Sequence, residues 1–424
     1  MATTDIYRTP PSSGVYKRYT HLFHKKKIQT QKEQRKGRLL LPPACGLFPK
    51  TAMKHQYARH HHLPIMSSPD VRLINFFKSA KPRLSPVYNP QKDEDYMSQA
   101  FTMTQCLGCG SFGVVVGMMA KEDGHRYAIK YQNEYKSHFN RYEQLREVVF
   151  LQYINHPNCV RFYLAWEEKD RLHIQTELCE QNLTKFLAVH DGNVPEPLVW
   201  DVLLDLLRGL AYLHKNLIVH LDVKPDNVLL DHLGIAKLSD FGMAFDLHTD
   251  DHNVCRIEGD ARYLASEALN DTTRACVTTK RDIFSLGVTI LQLATDVFIP
   301  PYGDEAEDIR CFRLPDHLLC RMSDELRGLL AVMMSREKDD RPEASWILET
   351  AGIYERELER RDFVQIASSN YAREGQGDVF LPLTPRCSNW IGNTLDALRR
   401  EYHARTHAHV KRSRSIERPP RTTL

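Results

Sequence analysis

The segment Val219-His220-Leu221-Asp222-Val223-Lys224-Pro225-Asp226-Asn227, followed downstream by Asp240-Phe241-Gly242, constrains this chain more than any other feature. Transfer of a phosphoryl group needs a base beside the acceptor hydroxyl and a metal ligand within reach, and Asp222 and Asn227 have that spacing. Asp222 is expected to orient and deprotonate the hydroxyl, and Lys224 to neutralise charge on the group in transit. Asn227, through its amide oxygen, and Asp240, through its carboxylate, are the expected ligands of Mg2+ bridging the phosphates of ATP. His220 is assigned to scaffolding, because no general-base role is left vacant.

Upstream, Gly108-Cys109-Gly110-Ser111-Phe112-Gly113-Val114-Val115 fits a glycine-rich turn between two strands. Glycines let the backbone bend over phosphate oxygens and approach them closely. A dinucleotide fold shares this spacing, but it needs a helix directly after the glycines, whereas Val114–Val116 reads as a strand. Lys130 closes the next strand, Tyr127-Ala128-Ile129-Lys130, where its ammonium would hold the α- and β-phosphates. It needs a carboxylate to fix it. Glu147 on the following helix is the choice, with Glu143 one turn away as the rival.

Strand patterns between residues 101 and 178 give way to helical periodicity after Gln181, with Leu198, Val199, Val202, Leu203, Leu206, Leu207, Leu210 and Leu213 at three-to-four spacing. The expected fold class is α+β, with a small β-rich lobe at 97–178 and a larger α-helical lobe at 179–355. Farther along, Glu267 in Ala265-Ser266-Glu267 and Arg341 in Asp340-Arg341-Pro342 would form a buried ion pair, and Asp282 would cap the catalytic loop from below.

Residues 1–96 and 356–424 read as largely disordered basic tails, the latter with a helix at 392–402. Residues 1–64 hold thirteen Lys or Arg against Asp5 and Glu33, yet the net charge of +3 is too small to argue for nucleic acid as a partner. Ten cysteines without a secretory leader read as free thiols in a reducing intracellular compartment. Cys106 and Cys109 lack a second ligand pair at zinc spacing. No apolar run is long enough to span a bilayer.

On Gly108, Lys130, Glu147, Asp222, Asn227, Asp240 and Glu267 the chain resembles the eukaryotic protein-kinase family over about 250 residues. That resemblance implies a bilobal kinase fold. It also implies a nucleotide site of Leu107, Gly108, Gly110, Gly113, Val115, Lys130, Glu147, Thr176, Glu177 and Cys179, with Thr176 limiting access behind the adenine. Three segments narrow it further: His220-Leu221-Asp222-Val223-Lys224-Pro225, the hinge Ile174–Cys179, and Glu258-Gly259-Asp260-Ala261-Arg262-Tyr263. These are similar to the Wee family, and with Asp240-Phe241-Gly242 especially to its Myt branch.

The resemblance implies a dual-specificity enzyme that phosphorylates the adjacent threonine and tyrosine in the glycine-rich loop of a cyclin-dependent kinase, in complex with its cyclin. Such an enzyme restrains entry into division. Lys224 itself is the serine/threonine pattern, so tyrosine activity comes from the family alone. A pseudokinase scaffold, which usually loses one of the lysine, base or metal ligands, and a kinase of unrelated substrates are the alternatives. The sequence departs from the family at Ser266, where a proline is usual, which should loosen the loop. The Myt branch carries an apolar segment after the kinase domain, and residues 355–424 read without one. A cytoplasmic enzyme is expected, with peripheral contact to Golgi or endoplasmic reticulum membrane by resemblance only and the nucleus left open. Leu221, replacing the usual arginine, removes the cation that would meet a phosphorylated loop. Thr249, the obvious acceptor there, should therefore not be needed for activity.

Overall fold

The computed structural model describes residues 71–76, 82–110, 113–132, 138–190, 192–247, 259–270, 277–350 and 352–361. Thr249 and the helix expected at 392–402 lie outside them, as do the basic stretch 1–64 and the Ser111-Phe112 tip of the glycine turn.

The first lobe is an antiparallel sheet in the order β1-β5-β6-β4-β3-β2. Its strands are β1 (Arg72–Leu73), β2 (Phe101–Gly110), β3 (Gly113–Ala120), β4 (Arg126–Gln132), β5 (Phe162–Glu168) and β6 (Arg171–Glu177). A short helix α1 (Tyr96–Ala100) leads into β2, and α2 (His138–Tyr153) follows β4. The β2–β3 hairpin closes where Gly110 pairs with Gly113, whose φ of 146° a side chain would strain.

One face of this sheet packs on α2 through Val148, Val149 and Leu151. The other carries a separate apolar cluster of Tyr96, Phe101, Val116, Met118, Ile129, Leu164 and Trp166. Tyr96 meets Trp166 edge-on at 5.1 Å, so the segment before β2 roofs the sheet.

This corrects the start of the folded region. The expected boundary was residue 97, yet Arg72–Leu73 pairs with Glu167 and Trp166, and Ile74 and Phe76 are buried. An edge strand of two residues has no readable periodicity, and its pairing with β5 creates it. At the other end helix 353–361 runs past the expected limit of 355. Arg360 is buried there and donates to Asp205 Oδ2 at 2.6 Å.

The second lobe is helical. Its helices are α3 (Leu183–Val189), α4 (Glu196–Lys215), α5 (Ser266–Asn270), α6 (Lys280–Thr295), α7 (Asp304–Arg310), α8 (Asp316–Leu319), α9 (Asp324–Met333) and α10 (Ala344–Leu348), with 353–361 as α11. The apolar stripe of α4 is buried against α6, itself enclosed along most of its length. His214 and Lys215 end α4 with the sign its dipole favours. Short strands lie where the lobes meet: β7 (Gln181–Asn182), β9 (Val228–Leu230) and β10 (Ala236–Leu238) in one sheet, β8 (Ile218–Val219) and β11 (Phe245–Asp246) in another. They hold the loops 220–227 and 239–244 at the cleft.

Candidate active site

A cavity of about 260 Å³ lies between the lobes. Leu107, Gly108, Val115 and Ala128 from β2, β3 and β4 form its ceiling, and Leu229 its floor. Thr176, Glu177 and Cys179 form the edge where the chain passes between lobes, with Ile174 and Leu151 deeper in. An apolar slot with a few polar groups at one end suits a flat heteroaromatic base joined to phosphates.

At the polar end, Lys130 Nζ stands 2.9 and 3.0 Å from the two oxygens of Glu147 and 3.1 Å from Asp240 Oδ1. For the first, Lys130 comes from β4, inside the sheet between β3 and β6, and Glu147 from α2, which packs against β5 and β6. Burial would lower the lysine's pKa, but the two carboxylates outweigh it and hold the ammonium above its ordinary range. The same pairing holds Asp240 below the usual carboxylate range despite burial. Both groups are therefore charged at neutral pH. Glu147 is the partner of Lys130; the side chain of Glu143 falls outside the described residues.

Below the cleft, Asp222 lies in a constrained loop. Leu221 before it has φ of +65°, a left-handed conformation that a leucine adopts only when its surroundings impose it. Asp282, fully buried on α6, imposes it by accepting from the backbone N–H groups of His220 and Leu221 at 2.8 and 2.9 Å. The His220 ring donates from Nε2 to the Ser239 carbonyl at 3.0 Å and packs 5.0 Å from Phe241, which joins loop 220–227 to loop 239–244.

Lys224 Nζ lies 3.0 Å from Asp222 Oδ1, and Asn227 Nδ2 donates to Asp222 Oδ2 at 2.7 Å and to its carbonyl at 2.9 Å. With its nitrogen engaged there, Asn227 leaves its amide oxygen for a hard cation. Asp240, itself in the left-handed region at φ 60°, gives one oxygen to Lys130 and keeps the other. One carboxylate and one amide oxygen are a sparse, hard donor set. Mg2+ takes hard oxygen donors of this kind, commonly only one or two of them from protein, so these residues would fit it. Among the described residues no group of three His, Cys, Asp or Glu forms a self-sufficient metal cage. Bound there, the ion would draw charge from the phosphates. Asp222 would take the hydroxyl proton, and Lys224 would steady the group transferred.

The acceptor side is tied down by ion pairs. Arg341 donates to both oxygens of Glu267 at 2.6 and 2.8 Å and lies 4.8 Å over the Phe284 ring, as the sequence led one to expect. Ser266 does not leave the loop loose: its hydroxyl donates to Glu307 Oε2 at 3.0 Å. Leu221 packs with Val219, Phe245, Val277 and Leu247, an apolar cluster where an arginine would present charge.

Of the residues read from sequence, Leu107, Gly108, Val115, Lys130, Glu147, Thr176, Glu177, Cys179, Asn227 and Asp240 line the cavity. Asp222 and Lys224 join it through Asn227, and Gly110 and Gly113 close the hairpin above. Lys185 was not foreseen. From α3 it donates to the Leu107 carbonyl at 2.7 Å, across the mouth of the cleft. Asp226, bonded by Thr184 at 2.9 Å, also lines the cavity. Neither has a sequence signal, since each works through a partner from another element.

The described geometry agrees with a comparison of the chain with known families: residues 101–351 match the protein kinase domain. The chain belongs to the protein kinase family. Among its relatives, a membrane-associated tyrosine- and threonine-specific cdc2-inhibitory kinase of Caenorhabditis elegans, wee-1.3, is 34% identical over 73% of this kinase and 44% of its own length. The protein of that descriptive name from Drosophila melanogaster is 37% identical over 60% of this chain and 47% of its own. A Wee1-like protein kinase of Arabidopsis thaliana is 34% identical over 57% and 47%. The kinase thus spans less than half the length of these relatives, and the likeness to the Wee family drawn from its three segments stands. Among the described residues no helix is long and apolar enough to cross a membrane.

Proposed function

We propose that this chain is an ATP- and Mg2+-dependent protein kinase that phosphorylates the threonine/tyrosine pair in the glycine-rich loop of a cyclin-dependent kinase bound to cyclin, and so restrains entry into mitosis or meiosis. One observation carries the catalytic half. Lys130, Glu147 and Asp240 converge on one side of the cleft, Asp222, Lys224 and Asn227 on the other, and no member is missing. A scaffold that no longer turns over ATP has no use for two complete, mutually oriented charge sets. The substrate half is supported by the relatives' printed names, which call them cdc2-inhibitory. The basic stretch 1–64 adds a means of peripheral attachment to anionic membrane, where each lysine or arginine contributes about 1 kcal/mol.

The purified protein would be incubated with a cyclin–kinase complex, ATP and Mg2+, and the products mapped by mass spectrometry. Phosphate on the glycine-loop threonine or tyrosine, with loss of the complex's own activity, is the expected result. Phosphate only elsewhere, or on other proteins, would replace the substrate reading; no transfer to any substrate would restore the scaffold reading.

A further inference from the structure

Between α6 and α7 the chain crosses the surface as Asp296-Val297-Phe298-Ile299-Pro300-Pro301-Tyr302-Gly303. Phe298 and Tyr302 are each 73% exposed, the highest values among the large apolar side chains described. A single exposed apolar residue is ordinary, but two aromatic rings four residues apart on a stiff loop are not. The loop is stiff for three reasons. Ile299 between them is buried, Pro300 and Pro301 restrict the backbone, and buried Arg310 donates to the Pro301 carbonyl at 2.8 Å. The rings therefore stay in water because they are held there.

The same guanidinium donates to the Ala261 carbonyl at 2.8 Å and to the Leu264 carbonyl at 3.1 Å. One cation thus fastens this loop to segment 261–264, whose Tyr263 carbonyl accepts from Ser285 on α6, one turn before Thr289, which donates to the carbonyl of Val223 beside Asp222. The loop is also acidic, Arg321 from another element standing beside its Asp296 end. From Asp296 to Glu305 the chain has three carboxylates, all exposed, and neither lysine nor arginine.

We propose that Phe298, Tyr302, Asp304 and Glu305 form a docking surface for the folded protein substrate, receiving a basic face with an apolar recess. This rests on the substrate reading above and adds where the body of that substrate is held. Carboxylates select a basic partner, and aromatic anchors supply the desolvated contact that dominates interface energies. Because Arg310 links the surface to segment 261–264, a substrate seated there presents its acceptor hydroxyl in fixed register with Asp222. Contacts remote from the reacting atoms then serve orientation.

Two variants test this, Phe298→Ala/Tyr302→Ala and Asp304→Lys/Glu305→Lys, all at exposed positions whose loss leaves the core intact. Steady-state kinetics are measured on a cyclin–kinase complex, beside ATP hydrolysis without protein substrate. kcat/KM for the complex should fall about tenfold or more in each variant, with basal hydrolysis unchanged. An unchanged kcat/KM, or an equal fall in basal hydrolysis, overturns the docking surface while transfer by the wild type keeps the substrate reading. If the wild type phosphorylates no cyclin–kinase complex, the substrate reading fails and the surface falls with it.

Discussion

Acid should weaken this fold through His173, and the size of the effect follows from its surroundings. On β6 its ring stacks on Trp166 at 4.9 Å, lies 6.1 Å from Tyr131, and is 7% exposed. Burial pushes the imidazole down to about 4 from its ordinary 6.5. The folded state therefore binds this proton more weakly than the unfolded chain. The stability that neutral His173 preserves is complete above 6.5 and is lost as the pH falls from there toward 4. Integrated with those two values, the loss reaches about 2 kcal/mol at pH 5 and about 3 kcal/mol at pH 4. His173→Phe keeps a ring in the stack and removes the titration. Urea unfolding of both proteins at pH 7.5 and pH 5 gives the comparison. The pH-dependent loss should be smaller in the variant by about 2 kcal/mol. Glu168, which burial raises, acts in the opposite sense, and burial-lowered His156 acts in the same one. Both remain in each protein and cancel in the difference. Equal losses in the two proteins would refute the reasoning, because the buried ring would then titrate alike folded and unfolded.

Asp222→Asn should cut kcat by about a hundredfold to ten-thousandfold with an unchanged melting temperature, and more than a tenth of the activity remaining would remove Asp222 as the base. Asp240→Asn should weaken the extra thermal stabilisation that Mg2+ adds to ATP, since an amide binds a hard cation less well than a carboxylate; an unaltered magnesium increment would take Asp240 out of the metal site. Arg360→Ala leaves the buried Asp205 carboxylate with Arg208 and the Ala236 N–H, and should cost about 3 kcal/mol of stability while turnover per folded molecule holds. A melting temperature equal to wild type would show the α11 contact to be idle. Protein made in bacteria and treated with phosphatase should transfer phosphate at full rate, because the Leu221 cluster gives no cation for a loop phosphate to meet. Activity lost on dephosphorylation and restored with phosphate on Thr249 would overturn that.

Much of the active site was legible because its chemistry is local. Asp222, Lys224 and Asn227 lie within six positions, so their spacing alone brings a base, a cation and an amide together. The glycines around Phe112 permit one hairpin, and the three-to-four spacing of leucines in 196–215 permits one amphipathic helix. Which carboxylate meets Lys130 was not local. Glu143 and Glu147 share a helix, and the packing of α2 against β5 and β6 brings Glu147 to Lys130.

The remaining features depend on contacts between distant segments. Arg72 and Leu73 are a strand because β5 offers an open edge, and Tyr96 is buried because Trp166 lies beneath it. Arg360 is buried because the buried carboxylate of Asp205, 155 positions earlier, accepts from it as well as from Arg208. Ser266, read as a weak point when proline was missed, becomes a hydrogen-bond donor once α7 brings Glu307 alongside. The sequence by itself determined which functional groups the chain possesses and their order along the backbone. The tertiary structure decided which of them meet, since a buried polar group is stable only where another element supplies its partner.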